Sequence, residues 1–131
     1  MKKKILIVDD EWSLVEFLKW KLSECGYEIM VAQDGSDFYQ MAIAAKPDLI
    51  ILDILLPDGL GTDHYDELLR LGFDRSTPVI FISSLAQEKP PKHSPREGRF
   101  ALFGKPFDCD ELITEVKKLL HPSHAPAHKS A

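Results

Sequence analysis

Acidic side chains follow two strongly apolar segments of this chain. Asp9 and Asp10 come directly after residues 5–8, and Asp53 follows the aliphatic run 49–52. Carboxylates that are crowded together repel one another, and a hard divalent cation with oxygen ligands relieves that repulsion. If both segments end at the same place in the fold, these acids therefore predict a Mg²⁺ site.

A hydroxyl group and an amine follow two further apolar segments. Ser83 comes directly after residues 78–82, and Lys105 lies just beyond residues 100–103. A lysine and a hydroxyl beside a metal-bound carboxylate suit phosphoryl transfer, because that reaction needs neutralisation of charge on the phosphoryl oxygens and a positioned oxygen nucleophile. Asp53 is then the predicted nucleophile.

The apolar runs are continuous rather than alternating, which is typical of parallel strands that are buried on both faces. The predicted strands cover residues 5–8, 27–32, 49–52, 78–82 and 100–103. Helical periodicity predicts the segments between and after them to be helices, over residues 12–25, 36–45, 62–71 and 108–121. In the first of these helices, Phe17 and Cys25 are expected to widen the buried stripe of Leu14, Leu18 and Leu22. Strands that alternate with helices pair in parallel through right-handed crossovers, so we expect a three-layer α/β/α domain.

This topology explains how residues far apart in sequence would form one site. The carboxyl ends of parallel strands meet at one edge of the sheet, where ligands bind in open α/β folds. Asp9, Asp10, Asp53, Ser83 and Lys105 are all predicted to lie at that edge.

The segment 86–99 departs from the alternation of strands and helices. It contains Pro90, Pro91 and Pro95, and it has no apolar side chain larger than alanine. Prolines interrupt helices, and an amphipathic helix needs an apolar face. We therefore expect the fourth helix of the pattern to be shortened, irregular or missing.

Composition limits the classes of protein that fit. The chain has 131 residues, of which 44% are hydrophobic and 28% charged, so we expect one domain over residues 1–120 and a disordered tail over 121–131. The net charge of −5 argues against direct binding to nucleic acid or an anionic membrane. Two cysteines without metal-ligand spacing, and no apolar stretch long enough for a signal peptide or membrane span, predict a cytoplasmic protein.

Together these motifs resemble the receiver domain of response regulators in two-component signal transduction. The resemblance covers about residues 4–120 and rests on the acidic turn after the first strand, Asp53 with Pro57, Ser83, and the triplet 105–107. Each motif alone has low specificity, but four in this order are specific. The resemblance implies a flavodoxin-like, doubly wound sheet of five parallel strands in the order 2-1-3-4-5.

The resemblance also implies a role for each site residue. Asp53 would accept a phosphoryl group from a histidine kinase or phosphotransfer protein as an acyl phosphate. Asp10 and Asp53 would bind Mg²⁺ directly, Asp9 mainly through water, and Leu55 through its backbone carbonyl. Ser83 would hydrogen-bond the phosphoryl group, and Lys105 would pair with Asp53 and then with that group. The domain would promote only its own phosphotransfer and dephosphorylation.

One position departs from the family pattern. The aromatic switch residue that family members usually carry three positions before the lysine is Leu102 in this chain. An aliphatic side chain has no polar tip with which to exchange between inward and outward positions. The output expected from the resemblance is binding of a downstream protein, or homodimerisation, through the face formed by strands 78–82 and 100–103 and the last helix.

Three other functions remain as alternatives at the level of sequence. Leu102 and the prolyl segment would also suit a receiver-like domain that binds proteins without phosphorylation. An aspartate-based phosphatase would need a second acid two residues after the nucleophile, where this chain has Leu55. A flavin- or nucleotide-binding domain would need a Gly- or Ser/Thr-rich phosphate loop, where Asp9, Asp10 and Glu11 would repel phosphate.

Overall fold

The computed structural model describes residues 2–84 and 99–122. In this part of the chain, the main sheet contains five strands: β1 (Lys4–Val8), β2 (Glu28–Ala32), β3 (Leu49–Asp53), β6 (Val79–Ser83) and β7 (Phe100–Gly104). A short hairpin follows β3, formed by β4 (Leu55–Leu56) and β5 (Gly59–Leu60). The helices of the described residues are α1 (Trp12–Glu24), α2 (Gly35–Ala45), α3 (Gly61–Arg70) and α4 (Cys109–Leu120).

All neighbouring strands of the main sheet pair in parallel, and their order is β2-β1-β3-β6-β7. Counted along the main sheet alone, this is the predicted order 2-1-3-4-5, so the fold class is confirmed. The central strands are fully buried because helices cover both faces of the sheet. That double burial explains why their sequences are apolar except for Lys4, Asp53 and Ser83 at the strand ends.

Successive residues of each strand point to opposite faces and build two separate cores. One core contains Ile5, Ile51 and Ile82, which pack against α1 and α4. The other contains Leu6, Leu52 and Phe81 and packs against α2 and α3. The sheet is thereby clamped from both sides, and its strand ends are held in a fixed register.

Helix ends agree with the sequence to within about one residue, and the capping residues explain them. The carboxylate of Asp108 accepts hydrogen bonds from the backbone N–H groups of Asp110 and Glu111, which starts α4. Asp34 starts α2 in the same way by accepting from the N–H of Asp37.

Two details of the helical packing were predicted wrongly. Phe17 was expected to widen the buried stripe of α1, but 40% of its surface is exposed, and it contacts the exposed ring of Trp20 edge to face. Cys25 was expected within the helix, but it is the exposed C-cap residue. The buried residues of α1 are Val15, Leu18 and Leu22, and Leu14 packs beside them partly buried.

Some expectations concern residues outside the described ranges. The irregular fourth helix was predicted over 86–99, of which only Arg99 is described, and most of the predicted tail lies beyond residue 122. The boundary at residue 120 stays a prediction; His121 packs against Tyr27, with 3.2 Å between Nε2 and the phenol oxygen. Among residues 2–84 and 99–122, no helix is long and apolar enough to cross a membrane.

Candidate functional site

Strand register brings the chemically active residues to one edge of the sheet. Val8 pairs with Leu52, Asp53 pairs with Ile82, and Ser83 pairs with Gly104. The residues that follow these positions, Asp9 and Lys105, therefore emerge beside Asp53. The convergence predicted from the order of the strands is present in the structure.

Asp53 is held on both of its carboxylate oxygens. It is 3% exposed, its Oδ1 accepts a hydrogen bond from the N–H of Leu55 at 3.1 Å, and its Oδ2 accepts one from Lys105 Nζ at 3.2 Å. Gly61 lies against the backbone of Asp53, and a Cβ atom at this position would collide with the Asp53 carbonyl. The close approach also lets the Gly61 N–H donate to the carbonyl of Ile54 at 2.6 Å.

The ammonium group of Lys105 is shared by three acids. It lies 3.2 Å from Asp53, 3.1 Å from Asp9 Oδ2 and 3.0 Å from Glu11 Oε1. The lysine backbone is fixed as well, because its N–H donates to the carbonyl of Ser83 at 2.6 Å. The contact of Glu11 with Lys105 was not predicted from the sequence. No local pattern indicates it, because the two residues are 94 positions apart.

Asp9 is buried in a way that leaves one oxygen incompletely satisfied. Its Oδ1 accepts a hydrogen bond from the Glu11 N–H at 2.8 Å. Its Oδ2 is fully buried and has no partner with hydrogen-bond geometry among the described residues, although Lys105 attracts it electrostatically. In the metal-free site, the cation that this oxygen faces is therefore the ammonium group of Lys105.

Burial and charge crowding change the protonation of the site. Burial, followed by the neighbouring Asp9 carboxylate, raises the pKa of Asp53 from 3.8 to about 6, against the opposing effects of Leu55 and Lys105. For Lys105, burial favours the neutral amine, but its contacts with Glu11, Asp9 and Asp53 outweigh burial and raise its pKa. Among the described residues of the site, the carboxylates of Asp9, Asp10, Glu11 and Asp53 outnumber the single ammonium group of Lys105.

The acids fit a divalent cation. Asp9, Asp10 and Asp53 each offer a carboxylate oxygen, and these oxygens lie within 4.8 Å of one another. Asp10 is exposed, whereas the other two are buried, so the cluster opens to solvent on one side. Oxygen ligands with access for retained water are the set that Mg²⁺ prefers. This acidic pocket can bind a metal ion.

The remaining predicted positions surround the pocket. Ser83 ends β6 beside Asp53 and is buried. Leu55 follows two residues after Asp53, and its side chain is exposed while its N–H holds the carboxylate. Leu102 lies on β7, with 50% of its surface exposed.

Comparison with known proteins places the chain in a family. The family model for the response regulator receiver domain matches residues 5–117. The chain therefore belongs to the response regulator receiver family, whose members are signalling domains.

Curated relatives of the chain are transcriptional regulators. It is 34% identical to the alkaline phosphatase synthesis transcriptional regulatory protein PhoP of Bacillus subtilis, over 99% of this chain and 53% of that protein. It is 31% identical to the transcriptional regulatory protein CrdR of Helicobacter pylori, over 92% of this chain and 56% of that protein. The chain thus spans about half the length of these relatives.

Solved structures agree with this assignment. A CheY-like response regulator receiver domain protein from Methanospirillum hungatei superposes with a TM-score of 0.81 at 26% identity, covering 93% of this chain and 96% of that one. The receiver domain of the hybrid histidine kinase CckA superposes with a TM-score of 0.72 at 28% identity, covering 90% of this chain and 99% of that one.

Proposed function

We propose that this domain accepts a phosphoryl group on Asp53, with Mg²⁺ bound beside it, from a histidine kinase or phosphotransfer protein. The observation that supports this most directly is the convergence of Asp53, Asp9 and Asp10 with the ammonium group of Lys105. Membership in the receiver family supports the same reaction. The proposal also takes residues 1–120 as the receiver domain.

Asp10, Asp53 and Asp9 would hold the metal ion, and the backbone carbonyl of Leu55 would complete the protein ligands. When bound, Mg²⁺ would neutralise the acidic cluster and the charge on the phosphoryl oxygens. Asp9 is anchored through Oδ1 by the Glu11 N–H and lies 3.1 Å from Lys105 Nζ through Oδ2, and it would reach the ion mainly through water.

Asp53 carries the covalent step. One of its carboxylate oxygens attacks phosphorus and forms an O–P bond, while the P–N bond to the donor histidine breaks and its electron pair returns to the imidazole. Lys105 moves from the Asp53 carboxylate to the phosphoryl oxygens, and the hydroxyl of Ser83 hydrogen-bonds the same group. Water later attacks phosphorus, the O–P bond to Asp53 breaks, and inorganic phosphate leaves as the Asp53 carboxylate is restored. The domain would catalyse no reaction beyond these two.

Phosphorylation would act on other molecules through a surface. The added negative charge draws Ser83 inward and biases a two-state face made of β6, β7 and α4. A downstream protein or a second copy of the domain would bind there, and the exposed Leu102 would contribute an apolar contact. The net charge of −5 fits a cytoplasmic domain that contacts neither membrane nor nucleic acid directly.

Leu102 favours a second candidate function, which is protein binding that does not depend on phosphorylation. An aliphatic residue at this position lacks the polar tip of the usual aromatic switch. In that case Asp53 could be phosphorylated or not without any change in the affinity for the partner.

Mass spectrometry after treatment with a small phosphodonor and Mg²⁺ tests the main proposal. We expect the mass of one phosphoryl group on wild type and none on Asp53→Asn. Absence of phosphoprotein from folded wild type would reject the proposal. If phosphoprotein forms but beryllofluoride with Mg²⁺ leaves the NMR spectra of residues in β6, β7 and α4 unchanged, the second function is favoured.

A further inference from the structure

A cluster outside the acidic pocket joins three segments of the chain, and we refer to Tyr39, Asp58 and His64 as the His64 clamp. The carboxylate of Asp58 accepts hydrogen bonds from the N–H groups of Gly35 and Ser36, at 2.8 and 3.2 Å, at the start of α2. His64 on α3 lies 3.1 Å from the backbone carbonyl of Asp58 and 2.9 Å from the hydroxyl of Tyr39 on α2. The turn between β4 and β5 is thus fastened to both helices.

Both contacts of the imidazole are satisfied by one tautomer. With hydrogen on Nε2, the ring donates to the carbonyl of Asp58, and Nδ1 accepts from the hydroxyl of Tyr39. Nε2 also lies 3.3 Å from the Asp58 carboxylate. His64 therefore links α2 to the turn through one accepted and one donated hydrogen bond, which fix the orientation of its ring.

Glycines make room for the ring on two sides. A Cβ at Gly35 would overlap the imidazole of His64, and a Cβ at Gly59 would lie 3.2 Å from Nε2. Gly59 also has a positive φ of 130°, which side chains rarely adopt. The ring is consequently held by close packing in addition to its hydrogen bonds.

The clamp is connected to the acidic pocket through the hairpin. Gly59 pairs with Leu56 and Leu60 pairs with Leu55, so only Pro57 and Asp58 separate the two strands. Leu55 in turn donates its N–H to Asp53. A shift of the turn would therefore move the backbone of Leu55.

We infer that His64 is a positioning residue that sets the affinity of the acidic pocket for Mg²⁺ by fixing the hairpin that carries Leu55. This inference rests on the proposed function, because it takes the carbonyl of Leu55 as a metal ligand. Residues that orient metal ligands commonly change affinity strongly when they are replaced. His64 acts one step further away, through the backbone of the hairpin.

Isothermal titration of Mg²⁺ into two variants tests the inference. His64→Phe keeps a ring between the glycines but removes both nitrogens, and we expect it to weaken Mg²⁺ binding by up to about tenfold. His64→Gln keeps an amide N–H near the position of Nε2, and we expect it to recover most of the affinity.

His121→Phe is the matched control. It also removes a histidine–tyrosine hydrogen bond, because Tyr27 lies 3.2 Å from Nε2 of His121, but it lies at the opposite edge of the sheet. We expect wild-type Mg²⁺ affinity for this variant. Equal affinities for His64→Phe and His121→Phe would overturn the inference. If His64→Phe does not fold, Tyr39→Phe takes its place, and wild-type affinity of that variant would overturn the inference.

Amide hydrogen exchange without metal separates the two proposals. We expect His64→Phe to speed exchange over residues 55–61 while β1 keeps its protection, and unchanged exchange over 55–61 would overturn the inference. If wild type binds no Mg²⁺, the proposed function fails at that point, whereas the exchange measurement still decides whether His64 fixes the hairpin.

Discussion

At the scale of single residues, the site depends on the imbalance between its charges. Lys105 contacts three carboxylates, and two of these, on Asp9 and Asp53, are almost completely buried. The lysine holds the acids together without neutralising them. Removing it or removing one acid should therefore have opposite effects on stability.

Lys105→Met should destabilise the metal-free domain at pH 7 by about 3 kcal/mol, because it leaves buried carboxylates without a counter-charge. Urea unfolding measures this loss, and saturating Mg²⁺ should restore most of it by supplying the missing positive charge. Lys118→Met is the control, since the Lys118 side chain is exposed and pairs with Glu115 at 3.6 Å. A loss no larger than that of the control would contradict the prediction.

Asp53→Asn should change how stability depends on pH. The pKa of Asp53 is about 6 in the folded state against 3.8 ordinarily, so the folded state binds more protons between these values. Its contribution to stability is present below pH 3.8 and is lost as pH rises through about 6.

Without Mg²⁺, wild type should therefore lose on the order of 2 kcal/mol relative to Asp53→Asn between pH 4 and pH 7. Urea unfolding of both proteins in the presence of a chelator measures the difference at each pH. Parallel pH profiles would show that the carboxyl group of Asp53 titrates normally in the folded state.

At the scale of elements, the junction between β3 and α3 carries most of the constraints on the site. Asp53 ends the strand, and the N–H of Leu55 orients its carboxylate. Gly61 starts the helix against the backbone carbonyl of Asp53. The hairpin in between is short, and the His64 clamp fastens its turn. Small changes of backbone position at this junction should reach the nucleophile directly.

Gly61→Ala should destabilise the domain by about 3 kcal/mol, because the new methyl group has no space beside the Asp53 carbonyl. It should also reduce phosphorylation of the variant that still folds, measured with a small phosphodonor. Gly72→Ala provides a comparison with strain alone, since Gly72 has a φ of 99° and open space around it, and should cost about 1 kcal/mol. Equal losses of stability in Gly61→Ala and Gly72→Ala would contradict a collision at Gly61.

At the scale of the whole molecule, the sheet aligns residues from four strands at one edge. The two cores pack against opposite faces and hold the strands in register. Metal binding at this edge should stabilise the domain as a unit, because the ligands come from β1 and β3 together and are separated when the chain unfolds.

Mg²⁺ at one hundred times its dissociation constant should raise the free energy of unfolding by about 2.7 kcal/mol, and a chelator should remove this gain. Asp10→Asn should lose most of the gain at the same Mg²⁺ concentration, as measured by thermal unfolding. Glu24→Gln, at the far end of α1, should keep it. A gain that survives in Asp10→Asn would place the ion elsewhere.

Much of the fold could be predicted from sequence because local patterns carry it. The aliphatic runs and the helical periodicity of apolar residues act within a few positions, so strands and helices were located nearly to the residue. Sheet order followed from the alternation of strands and helices together with the family resemblance. The exposure of Phe17 was missed because helical periodicity does not reveal which residues fill the available space.

The sequence by itself determined that acids, a hydroxyl and a lysine follow strands of one parallel sheet and must share an edge, because strand direction is a consequence of connectivity. Only the tertiary structure decided which groups touch. The contacts of Lys105 with Glu11 and Asp9, and the clamp of His64 with Tyr39 and Asp58, join positions with no local pattern in common. Distances of a few ångströms between such side chains depend on how both cores pack, and that packing is a property of the whole chain.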